Sequence, residues 1–278
     1  MHHRLRIALA VFSLFQASHV VRAQSAPDTT ALPSFRAFPS QRMFPRMSAS
    51  GTAHQLGMSK DFTTPLIRGS IGYQGPLFET DFGNTQLQLG AGATVLASII
   101  KKPRLLQVVT VDFLVEFPVD IRLSDRLTLR TGYGHFSAHF ADDGIEILQK
   151  SSVNYAKDYI LLLGCWRLPF ADAVMYGGGQ YAYHSIPVED KHWVLQWGCE
   201  GGNFRILPES YLYFAVDVKW KSEAAWASTQ SYQCGLKLFP RNERDLRIAY
   251  TFRTGIDDRG QYFLERTDVS QLGVYVDF

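Results

Sequence analysis

One stretch carries the residue types and spacing of hydrolytic chemistry: Gly132-Tyr133-Gly134-His135-Phe136-Ser137-Ala138-His139-Phe140-Ala141-Asp142-Asp143. On an extended strand alternate side chains share a face, so His135, Ser137 and His139 stand in one row. A histidine two residues from a serine can serve as general base on its hydroxyl, provided a third polar group orients the ring. Asn154, with Asp158 as the alternative, supplies that group if the next strand runs back alongside. The plainer reading is a polar cluster at a strand end among aromatic neighbours. A hairpin closing near Glu146 sets His135 against Lys157 and Ser137 against Tyr155, which leaves Asn154 on the other face unless a bulge intervenes.

Other groupings are weaker. Asp142, Asp143 and Glu146 have the charge to hold a divalent cation, but a solvated acidic loop explains them as well. Cys165, Cys199 and Cys234 fit no zinc spacing. Their odd number leaves at least one thiol unpaired. Gly177-Gly178-Gly179 lies in a strand pattern with no helix after it, so it is not a phosphate loop. No metal and no cofactor is expected.

The elements that must position His135 and Ser137 alternate with period two. The clearest is 107–123, where Val109, Val111, Phe113, Val115, Phe117, Val119 and Ile121 oppose Thr110, Asp112, Glu116, Asp120 and Arg122. About seventeen residues is long for a globular strand and suits a tilted membrane strand. Similar patterns occupy 50–58, 65–73, 86–99, 127–140, 152–168, 173–185, 191–201, 211–221, 226–239, 246–256 and 268–278. The expected fold is all-β, an antiparallel transmembrane barrel of about twelve strands, or ten if the segment before Pro65 is not in the wall.

Connections near Asp125, Phe170, Pro208 and Arg241 are short, and they alternate with generally longer ones near Asp143, Glu189, Glu223 and Asp258. Membrane barrels have short periplasmic turns and longer outer loops. The faces opposite the apolar ones carry Asp112, Glu116, Asp120, Arg130, Glu200, Asp217, Arg247 and Arg253, with both signs interleaved. In a narrow lumen these charges can pair across the interior, giving a stiffened, filled barrel, or alternatively can line a small-solute pore.

Residues 1–23 read as a signal peptide: His2, His3, Arg4 and Arg6, then an apolar run 7–15, then Val21-Arg22-Ala23. Residues 24–49 are polar, with prolines 27, 33, 39 and 45, and read as a periplasmic lead-in without regular structure, followed by the barrel from 50 to 278. No later window has the roughly 18 consecutive apolar residues of a membrane helix. A formal net charge of +2 carries no nucleic-acid footprint.

The final strand alternates Ser270, Leu272, Val274, Val276 and Phe278 against Val269, Gln271, Gly273, Tyr275 and Asp277. This ending resembles the last strand of bacterial outer-membrane barrels, where a terminal Phe is the assembly signal. The resemblance implies outer-membrane lipids and the barrel assembly machinery as partners, and the outer membrane of a Gram-negative bacterium as location. The short turns fall on the side of Phe278, which places His135 and Ser137 near the outer rim.

The His-x-Ser pair is locally similar to those of outer-membrane phospholipase A and the lipid A deacylases, which implies a lipid acyl hydrolase as the alternative to a structural or pore role. The stretch 127–278 is similar to the bacterial family called domain of unknown function 1207. The likeness rests on Gly134 to Asp143, Asn154 to Tyr159, Tyr176 to Gly179, Gly198-Cys199-Glu200, Ala215 to Lys219 and Gly260 to Phe263. The family pattern has a second Ser where Ala138 stands, Leu-Gly at Phe140-Ala141 and Glu at Asp143. That resemblance implies an outer-membrane barrel and supplies no mechanism.

Overall fold

The structure is a computed structural model that describes residues 34–83, 85–170, 172–241 and 244–278. The expected signal peptide and the lead-in as far as residue 33 lie outside them. Thirteen strands run in chain order: β1 (Phe35–Ala37), β2 (Leu56–Asp61), β3 (Leu66–Phe82), β4 (Thr85–Lys102), β5 (Leu105–Arg122), β6 (Leu127–Phe140), β7 (Tyr155–Arg167), β8 (Val174–Ile186), β9 (Trp193–Leu207), β10 (Ser210–Lys221), β11 (Ala227–Arg241), β12 (Arg244–Ile256) and β13 (Arg266–Asp277). Each strand from β3 to β13 pairs antiparallel with its sequence neighbours. β2 bridges β13 and β3, with Val274 opposite Met58 and Ser59 opposite Arg68. The wall therefore closes as twelve strands, β2 to β13, and closure removes the free edges an open sheet would present. β1 lies outside that count and pairs with the far stretch of β3, Phe35 opposite Thr80.

The period-two pattern sorts the two faces as alternation dictates. In β5, Asp112, Leu114, Glu116 and Asp120 are buried in the lumen while Phe113 and Phe117 stand on the outside. The outer face is a continuous apolar surface, including Ile160, Leu162, Leu195, Trp197, Phe214, Tyr250, Phe252, Leu272 and Val274. Exposed apolar area of this extent is found where the surrounding medium is itself apolar.

Several boundaries differ from the alternation reading, and three differences bear on the lumen and the site. The first wall strand begins at Leu56 rather than at residue 50, because Ser50 and Ala53 close successive turns, Ser50 N to Met47 O at 2.9 Å and Ala53 N to Ser50 O at 3.2 Å. β3 runs on to Phe82, past the Gly75-Pro76 step, where a register shift between Pro76 and Phe78 takes up the proline's missing donor. The β6–β7 connection holds a helix, α1 (Asp142–Leu148), in place of a simple hairpin. That helix lies tight on β5: a side chain on Gly144 would sit 2.1 Å from the Val109 carbonyl oxygen. The Asp143 carboxylate accepts from Val108 N at 3.1 Å.

Residues 38–55 have no regular structure, and much of the segment lies inside the lumen. Met43, Phe44, Ser48, Ala49, Ser50 and Ala53 are buried. Met43 N donates to Gln88 at 3.1 Å and Ser48 N to Glu200 at 2.8 Å. The His54 ring bridges Thr94 at 2.7 Å and Glu116 at 3.1 Å. The region read as a bare lead-in thus packs in its later part as an internal plug. Lumen side chains receive its Met43 and Ser48 N–H groups, and its own turns receive those of Ser50 and Ala53, in keeping with the need to pair buried backbone groups.

Around this plug the lumen charges pair. Arg130 forks onto Asp120 at 2.7 and 2.8 Å and lies 4.3 Å from the centroid of the Phe44 ring. Arg247 binds Asp277, Lys157 binds Glu223 at 2.8 Å, and Asp217 accepts from Gln196 at 2.6 Å and Tyr176 at 2.8 Å. Glu116 accepts from Tyr159 at 2.6 Å. Gly134 makes that last bond possible: any side chain there would lie 2.2 Å from the Tyr159 ring that crosses it.

The loop after β12 folds into the same interior. Arg259 pairs with Asp257, and Lys221 reaches Asp258 at 3.2 Å. Burial alone would push the Asp258 carboxyl up; Lys219, Lys221 and Arg253 together outweigh it and hold the group well below the usual carboxylate range.

Candidate active site on the outer wall

β6 presents Tyr133, His135, Ser137 and His139 outward, since Gly134, Phe136, Ala138 and Phe140 fill the lumen side. β7 runs back beside it with His135 opposite Asp158 and Ser137 opposite Ala156. This register is one residue away from the simple-hairpin pairing of His135 with Lys157 and Ser137 with Tyr155. The helical connection α1 and the irregular 149–154 segment set where β7 begins, and they turn Asp158 to the outside and Lys157 to the lumen. A one-residue slip exchanges the faces of an entire strand.

The consequence is a polar cluster on an otherwise apolar wall. His135 Nδ1 lies 2.7 Å from Asp158 Oδ1. Tyr133 donates its hydroxyl to the same oxygen at 2.9 Å, and His184 Nδ1 lies 3.1 Å from Asp158 Oδ2. A register shift between Asp158 and Tyr159 on the β7–β8 pair seats His184 directly opposite Asp158. The side chains are partly exposed, His135 to 36% and Asp158 to 23%. With its Nδ1 side bonded to the carboxylate, the His135 ring has Nε2 for a proton acceptor, and an acid at Nδ1 holds that tautomer.

Ser137 is next in the row on the same face, half-buried, and its hydroxyl makes no hydrogen bond among the described residues. Asn154 is exposed ahead of β7 and likewise makes none; the group bonded to His135 is Asp158. His139 follows Ser137 on the same face, with its ring 6.2 Å from that of Phe113. Phe113 is Ser137's cross-strand partner on β5, so an apolar surface adjoins the hydroxyl.

The lumen set lies apart from this cluster. Asp112, Glu116, Asp120, Arg130, Asp217, Arg247 and Arg253 are buried inside the barrel, and Glu200 faces inward to receive Ser48. Tyr133 shares the parity of His135 and so its face follows from the sequence; one member of the outer cluster, His184, does not. His184 lies some fifty residues on, and its place depends on a bulge that no local pattern announces. The three cysteines are free, on β7, β9 and β11, which are not adjacent.

The comparisons agree with the architecture. The Salmonella typhi outer membrane phospholipase (OMPLA), crystallised as a dimer with bound calcium, superposes with a TM-score of 0.50 at 12% identity, covering 81% of this chain and 90% of that one. The N156A active-site mutant of the Escherichia coli outer membrane phospholipase A gives 0.50 and 12%, covering 81% and 89%. At that identity the likeness is one of fold, and the fold is that of outer-membrane barrels. No curated protein matches the sequence. The model of one protein family, "Protein of unknown function (DUF1207)", matches residues 22–278, and the chain belongs to that family.

Proposed function

We propose that this protein is an outer-membrane lipid acyl hydrolase, with Ser137 as nucleophile, His135 as general base and Asp158 as the group that orients His135. One observation carries the reading: a histidine bonded to a carboxylate at 2.7 Å, both on the outward face of the wall, with a serine two residues along the same row. Such a site meets its substrate within the bilayer, and the adjoining Phe113 side chain offers an acyl chain an apolar bed.

In the first step the Ser137 hydroxyl attacks the ester carbonyl while His135 Nε2 takes its proton. Asp158 stabilises the imidazolium that forms, and His135 returns the proton to the departing alcohol. Water then cleaves the acyl-serine ester with His135 again as base. Catalytic hydrogen bonds commonly tighten only on substrate binding, so the unpaired Ser137 hydroxyl is compatible with this role. The solved structures that share the fold include outer membrane phospholipases, which accords with the reading.

A pore role has less support, because residues 38–55 and the paired charges occupy the lumen. The test is fatty-acid release from phospholipid or lipid A by the purified full chain in detergent. The proposal expects release by the wild type and its loss in Ser137→Ala. Equal release from both would sink the assignment, and so would an inactive wild type across both lipid classes.

A further inference from the structure

Most arginines on the lumen side of the barrel are ion-paired. Inside the barrel, Arg130 is bound to Asp120, Arg68 to Asp61, Arg247 to Asp277 and Arg259 to Asp257, and Arg253 is buried at the outer end beside Asp258. At the end of the barrel that carries Phe278, three others have no such partner. Arg122 ends β5, Arg126 lies in the β5–β6 turn and Arg167 ends β7. Their side chains make no hydrogen bond and no ion pair within 4.0 Å among the described residues. The wall holds them together: Arg122 pairs across to Thr128 on β6, and Arg167 N donates to the Arg126 carbonyl at 2.8 Å.

These three line one open cavity of about 510 Å³ at the mouth of the lumen. Six basic residues border it against four acidic ones. Two of the four acids are already engaged, and a third, Asp245 on β12, lies across from Asp277. Asp277 is held by Arg247 and Arg46, and Glu200 receives Ser48 N. Lys237 adds a further cation, tethered by Asn203 at 3.2 Å. Asp125, exposed in the turn between Arg122 and Arg126, is the acid nearest to them in sequence.

With six basic residues against four acidic ones the cavity has a net positive lining, and a concave site with an excess of one sign concentrates oppositely charged solutes. Guanidinium groups suit planar, forked contacts to phosphate oxygens. The volume falls within the range of about 300–1,000 Å³ common to small-molecule sites. A single carboxylate would neutralise one of three guanidiniums, whereas a phosphate or pyrophosphate group carries the charge and oxygens for all three. The three arginines line the open mouth of the lumen, while Trp166 and Phe170 are exposed beside it, so the site is open to a water-borne solute.

We propose that this mouth is a binding site for a small solute bearing a phosphate or pyrophosphate group. It is separate from the cluster on the outer wall and does not depend on the hydrolase reading.

Calorimetric titration of the purified full chain, in a zwitterionic detergent, with inorganic pyrophosphate tests it. Saturable one-site binding is expected, weakening as sodium chloride is raised. The Arg126→Gln/Arg167→Gln variant should bind at least tenfold more weakly, and Arg126→Lys/Arg167→Lys should keep much of the affinity. Heat-dependent gel migration of each variant reports whether the barrel has formed; should the glutamine pair fail to fold, Arg122→Gln alone serves in its place and should weaken binding severalfold. A wild type that does not bind pyrophosphate overturns the proposal, and so does a folded glutamine variant that binds as well as the wild type. A parallel titration with vesicles doped with an anionic phospholipid separates the sources: tighter binding to the vesicles than to pyrophosphate would also overturn it.

Discussion

Replacing Asp158 by Asn is the substitution whose effect can be worked out most fully. The carboxylate lies 2.7 Å from His135 Nδ1 and is 23% exposed. With charge centres about 4 Å apart and an effective dielectric near 20, its attraction to an imidazolium is worth roughly 4 kcal/mol. Tyr133 and His184 share the same carboxylate, which disperses part of its charge, so about 3–4 kcal/mol is the portion available to the reaction. At about 1.4 kcal/mol per factor of ten, the expected fall in kcat is roughly 10²- to 10³-fold. Folding should hardly respond, since partly exposed ion pairs of this kind contribute about 0.2–1 kcal/mol. Ester hydrolysis by wild type and Asp158→Asn, with thermal unfolding of each followed in parallel, gives both numbers. A variant with kcat within threefold of wild type would refute the role given to Asp158. A comparable loss of activity and of thermal stability would show that Asp158 holds the wall together and does not act through His135.

Two further outcomes concern the plugged lumen. Glu116→Gln removes the charge that receives His54, Gln74 and Tyr159, at 3.1, 3.1 and 2.6 Å; stability should fall by about 2–4 kcal/mol, read as a lower unfolding temperature in detergent, with hydrolysis unchanged. Asp258 has its folded pKa depressed by Lys219, Lys221 and Arg253, so its stabilisation is fully present above the ordinary aspartate pKa of about 3.9 and is lost as pH falls through the folded value. Asp258→Asn should therefore unfold at a lower temperature than wild type at pH 7, and the difference should narrow as pH drops below about 4; a difference that grows on acidification would contradict the clamp.

The architecture was legible because alternation is a wall-wide signal. Val111 to Ile121 against Asp112 to Arg122 fixes the faces of β5 without any knowledge of its neighbours. The orientation of β6 followed the same way, so His135 and Ser137 could be placed outward from parity alone. Contacts between strands were less accessible, because they depend on register. The connection between Phe140 and Tyr155 contains α1, and its path decides whether Lys157 or Asp158 meets His135. His184 required a bulge as well. The plug had no periodic pattern to announce it: Met43, Phe44 and His54 lie in an irregular polar stretch and are recognised by lumen partners such as Gln88, Arg130 and Glu116, far away in sequence.

The claim that Ser137 is an activated nucleophile on the outer wall has a direct measurement. The folded protein in detergent is incubated with a fluorophosphonate, and its peptides are analysed by mass spectrometry. The account predicts one phosphonylated serine, Ser137, with labelling slowed at least tenfold in His135→Ala. Labelling of a different serine, or an unlabelled Ser137 in folded protein, would contradict it.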